Sequence, residues 1–157
     1  MTSIRITAPE PRPDFRLVIT FLWRDGQNVD SDGDSVPVTS RDWTELYLAN
    51  RETTEPSVSV SPEQESPLML RIESAQATLA ARVAYFLASS TNGQVAFPPE
   101  HPASPPSMLI PYLGDDFDPD EAFLRVARSP VSQATLDNPY PNLTPTITQR
   151  IRKALGL

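Results

Sequence analysis

The sequence predicts an α+β fold: a mainly antiparallel sheet of about four to six strands, one main helix over 75–89 packed on a face, and two shorter helices over 119–128 and 145–155. Three observations predict it. Short runs alternating apolar and polar residues recur at hairpin-like spacing. One alanine-rich stretch carries helical periodicity. The length, 157 residues, suits a single domain over 1–157. A globule of this mass exposes roughly 7,900 Å² against roughly 25,000 Å² for the open chain, so one core forms without staples.

Ile4 and Ile6 alternate with polar neighbours and read as a weak edge strand. Pro9, Pro11 and Pro13 then impose an extended connector. The continuous run Leu17–Trp23 is rich in β-branched and aromatic residues and reads as a central strand buried on both faces. Asp25 to Ser35 is a polar, turn-rich loop. Over Trp43–Ala49 an extended chain places Leu46 and Leu48 on one face, with Trp43, Glu45 and Tyr47 on the other. Ser57 to Val60 alternates serine with valine, and Leu68 to Ile72 alternates again.

The main helix has Leu79, Val83, Phe86 and Leu87 on one face, with Ser74 as the expected N-cap. Asn92-Gly93 supplies a left-handed stop, and a short return strand follows over Gln94–Phe97. Residues 98–111 hold six prolines in fourteen positions, which predicts an extended surface segment. Its apolar neighbours Met108, Leu109 and Ile110 predict that it docks on the body. Asp118-Pro119-Asp120-Glu121 is a helix start: an Asp cap, proline in the first turn and an acid that completes the box. Thr144-Pro145 opens the last helix in the same way, with Ile147, Ile151 and Leu155 on one face.

Charge and missing residue types narrow the function. Twenty acids against thirteen bases give a formal charge of −7, which disfavours nucleic acid and anionic membrane surfaces and favours a basic partner. No cysteine is present, so thiol catalysis, disulfides and thiolate metal sites are excluded. The first twelve residues hold no apolar h-region, and the expectation is a soluble cytoplasmic protein. Twelve of the thirteen bases are arginine, a bias that points to a GC-rich bacterial genome.

Asn28-Val29-Asp30-Ser31-Asp32-Gly33-Asp34 is the sharpest local pattern. Oxygen side chains at Asn28, Asp30 and Asp32 with glycine at the sixth position match a calcium loop, with Asp34 as a further ligand. The twelfth position is Thr39 rather than a bidentate glutamate, and the competing reading is a solvated acidic turn. A second acidic cluster, Asp115, Asp116, Asp118, Asp120 and Glu121, is largely explained by helix capping, which leaves Asp115 and Asp116 for a partner. Trp43, Glu45 and Tyr47 are the other candidate contact residues, against the reading that a helix covers them. His101 is the sole histidine, lies in the proline-rich segment and has no nucleophile elbow to serve. No phosphate-binding glycine pattern exists.

These observations give a leading expectation and several rivals. The first is a non-enzymatic acidic binding protein that sequesters a more basic protein partner, in the manner of immunity, antitoxin or chaperone-like proteins. A calcium- or other divalent-cation-binding module is the second. A hydrolase or transferase built on dispersed carboxylates, and a phage or secretion-system structural component, complete the set.

Overall fold

The computed structural model describes residues 1–141. The helix expected over 145–155 lies outside the described residues.

Six strands form one sheet: β1 (Thr2–Thr7), β2 (Val29–Gly33), β3 (Leu46–Asn50), β4 (Val58–Glu65), β5 (Leu68–Ser74) and β6 (Val95–Ala96). Their order is β2-β3-β4-β5-β1-β6, and every neighbouring pair is antiparallel. The α+β expectation holds. The period-2 alternation does what it predicts. Ile4, Ile6, Leu48, Val58, Val60, Leu70 and Ile72 are buried on one face, and their polar neighbours turn to the other.

Three α-helices lie on the apolar face: α1 (Phe15–Leu22), α2 (Ala77–Ser90) and α3 (Pro119–Arg128). Along α2, Leu79, Val83, Phe86 and Leu87 are almost fully buried, as the periodicity predicts. The helix starts later than expected. Ser74 ends β5, donating its hydroxyl to Ser57 O at 2.9 Å and accepting the Gln76 N–H at 3.1 Å, and Gln76 is the N-cap. At the far end Asn92 has φ 55°, and the Gly93 N–H closes on Ala88 O at 2.8 Å. A β5-α2-β6 unit results, with β1 inserted between two mutually parallel strands.

Leu17–Trp23 is not a strand. It is helix α1, capped by Asp14, whose carboxylate accepts the Arg16 N–H at 3.0 Å. Leu17, Val18, Phe21 and Leu22 are buried, and this spacing is helical. A run apolar on all sides has no periodicity to separate helix from strand, so β-branching misleads there. Phe21 joins the three helices. It stacks on Phe86 at 4.6 Å and meets Phe123 edge-on at 5.0 Å. Arg125 of α3 donates to Phe21 O at 2.8 Å and so caps the C-terminal end of α1.

The proline-rich segment is only partly extended. Pro106–Tyr112 forms 3-10 turns, and Leu109 is fully buried. Arg82 of α2 fastens the chain that follows. Its Nε donates to Leu113 O at 2.8 Å, and its guanidinium lies 4.4 Å from the Phe117 ring centre. α3 begins where the capping chemistry puts it. Asp118 accepts the Asp120 N–H at 3.0 Å and the Glu121 N–H at 3.3 Å. Among the described residues no helix is long and apolar enough to cross a membrane.

Candidate functional site

The helices pack on the apolar face, so among the described residues the other face of the sheet carries no helix; the loop after β6 reaches only its β1 end, where Arg5 donates to Pro99 O at 2.9 Å. Its β2–β3 end is acidic. Asp32 of β2 stands directly opposite Tyr47 of β3, and Asp30 stands opposite Ala49. The alternation that buries Leu46 and Leu48 turns Tyr47 outward, where it is 43% exposed. Asp32, Glu45 and Tyr47, with Ser59 and Ser61 from β4, line a shallow depression of about 260 Å³. Asp30 is paired with Arg51 at 2.7 Å, an exposed ion pair of small energetic weight.

Asp34 organises this corner. Its carboxylate accepts the Thr44 and Glu45 N–H groups and the Thr44 hydroxyl, each at 2.9 Å. Burial works against its charge, but these donors outweigh it and hold its carboxyl below the usual range. They also fix the turn that delivers Glu45 to the surface.

The expected cation loop is an edge strand. Val29–Gly33 is extended, so successive carboxylates line up along the strand and do not converge. Asp30 serves Arg51, Asp32 accepts the Gly33 N–H at 2.9 Å, and Asp34 is bound to Thr44 and Glu45. Asn28 takes part through its backbone, accepting the Arg51 N–H at 2.9 Å. Among the described residues no group of three His, Cys, Asp or Glu side chains is placed to hold a metal ion.

Trp43 does not share a face with Tyr47. It precedes β3, is 1% exposed, and donates its indole N–H to Pro13 O at 2.8 Å. Strand alternation has no hold on a residue outside the strand. Asp115 and Asp116 lie far along the chain in the loop before α3, and Asp116 meets Arg82 at 3.3 Å. His101 is exposed in the loop after β6. The structure therefore gathers Glu45 and Tyr47 with Asp30, Asp32 and Asp34, residues that the sequence assigned to two separate sites.

The opposite end of the same face pairs its charges, with Arg5 and Arg71 beside Glu63 and Glu73. Arg5 and Arg71 both bond Glu63, and Arg5's hydrogen bond is the largest reason its carboxyl sits below the ordinary range. Sequence reasoning did not single out Ser59, Ser61, Arg5 or Arg71. The Ser/Val alternation that predicts β4 already carries the signal, because the serines must occupy the outer face. Comparison with protein-family models, curated proteins and solved structures gives no match.

Proposed function

We propose that the chain is a non-enzymatic, acidic, cytoplasmic binding protein that sequesters a more basic protein, docking it on the β2–β3 end of the open sheet face. One observation carries the reading. Tyr47 is a half-exposed aromatic side chain on an uncovered face, with Asp32 directly across the strand and Glu45 two residues before it. A rigid aromatic ring supplies contact area at low entropic cost, and flanking acids steer a basic partner to it. The formal charge of −7 acts in the same direction at long range. Asp32 and Glu45 border an open depression, a shape suited to a protein surface rather than to enclosing a small substrate. A chain free of cysteine suits a reducing compartment.

A photo-crosslinking amino acid at position 59, beside Tyr47 in the depression, tests this in cells that express the protein natively, with Leu124 on α3 as the control position. The expected result is an adduct with a basic protein at 59 and none at 124. It weakens as salt rises and disappears when Asp30 and Asp32 are changed to asparagine. Equal adducts at both positions, or an adduct indifferent to the two aspartates, overturn the proposal.

A further inference from the structure

β2 is the last strand of the sheet, and half of its backbone groups face away from it. The pairing phase is fixed by two bonds. Arg51 N–H donates to Asn28 O at 2.9 Å, and Asp34 N–H donates to Glu45 O at 3.3 Å. In an antiparallel ladder the bonded positions alternate, so Asp30 and Asp32 direct their amides to β3. Val29, Ser31 and Gly33 direct theirs outward. The Asp32 carboxylate takes the Gly33 N–H at 2.9 Å. Val29 and Ser31 keep an outward N–H and C=O with no strand beyond them among the described residues.

The two sides of this edge differ in chemistry. On the open face stand Asp30 and Asp32. At the Gly33 end of the strand lies a cavity of about 200 Å³ lined by Phe15, Ser31, Ser35 and Leu46 together with Asp32 and Glu45. From these placements we infer that β2 accepts an added strand from the basic partner. That strand alternates Lys or Arg with small apolar residues. Its bases lie over Asp32 and over Asp30, where they replace the weak exposed pair with Arg51, and its apolar side chains enter the cavity beside Phe15 and Leu46. Backbone bonds supply affinity in such an addition, and the alternating side chains supply specificity. The inference rests on the binding role proposed above and names the partner segment that fits.

A second copy of this chain does not fit the edge. Pairing β2 antiparallel with itself about Ser31 sets Asp30 opposite Asp32 twice, and like charges directly opposite are destabilising. Charge therefore selects a basic strand over self-association.

Two capped peptides test the inference on the full-length protein: KVKVKVK, which alternates, and KKKVVVK, which has the same composition. Binding is followed by amide shifts of Val29 to Gly33. The alternating peptide is expected to bind at least about tenfold more tightly, because only alternation sets every lysine on the face of Asp30 and Asp32 and every valine on the other. Ser31→Pro removes only an outward N–H and is expected to cost a similar factor, whereas Ser31→Ala costs nothing. Methylating the peptide amides that face β2 asks the same question without altering the protein, and it stands if the proline variant does not fold. Equal binding of the two peptides, or indifference to Ser31→Pro and to amide methylation, overturns strand addition. If the double change of Asp30 and Asp32 to asparagine still abolishes binding in that case, the acidic docking face survives and only the strand mode falls. Indifference to that double change as well removes both. A dimer of the chain that Ser31→Pro dissolves overturns the choice of partner.

Discussion

Arg5 of β1 and Arg71 of β5 stand directly opposite one another on the helix-free face of the sheet. Like charges in that position are destabilising, and Glu63 is what resolves them. It is the extra residue of a bulge in β4, between Pro62 opposite Leu70 and Gln64 opposite Met69. The bulge lets one carboxylate bond both guanidinium groups.

Glu63→Gln is therefore expected to lower stability at neutral pH by on the order of 1 kcal/mol after solvent screening. Its folded carboxyl is held below the unfolded value, so its contribution is fully present above the unfolded pKa. It is lost as pH falls through the folded one. Thermal melts of the natural protein and the variant should differ at pH 7 and converge below roughly pH 4. A constant gap down to acid pH sinks this assignment.

Tyr47→Ser separates docking from folding. The ring is 43% exposed and stands outside the hydrophobic core. Stability should change by less than about 1 kcal/mol. Crosslinking of the basic partner from position 59 in the same depression should fall at least about tenfold if the ring is an anchor. A large drop in melting temperature would show that Tyr47 belongs to the core.

How far these features were legible depends on whether their cause is local. The α3 start was legible because Asp118 and Pro119 act within one turn of themselves. β4 was legible because Ser57 to Val60 alternates regardless of its neighbours. Leu17–Trp23 was not, because its composition suits either state and the deciding cap, Asp14, lies outside the run. Asn28 to Asp34 has the composition of a turn. It is extended because β3 offers it a free edge, a tertiary cause that local propensity does not contain. For the same reason Asp30, Asp32 and Tyr47 could not be joined in advance. Their meeting depends on the β2–β3 register.

Trp43→Phe probes the residue that alternation misplaced. The indole N–H is buried on Pro13 O at 2.8 Å, and the Trp43 carbonyl accepts from Arg12 Nε at 2.9 Å. Phenylalanine strands the Pro13 carbonyl and leaves a small void, at a cost of about 2 kcal/mol. Denaturant midpoints measure it, and peptide binding at β2 should be unchanged. Weakened binding with unchanged stability would return Trp43 to the contact surface.

Calcium at millimolar concentration should not raise the melting temperature. A calcium ion needs six or more oxygens at about 2.4 Å, so its ligands must crowd one point. Along an extended strand Asp30 and Asp32 are separated by two residues, about 6.6 Å, and Asp34 already accepts three hydrogen bonds from Thr44 and Glu45. Gathering the three carboxylates would break the β2–β3 ladder and those bonds together. Binding to the folded state alone would appear as a rise in melting temperature that grows with ligand concentration. A saturable rise with calcium, absent with magnesium at equal ionic strength, would show that this segment leaves the sheet to wrap the ion.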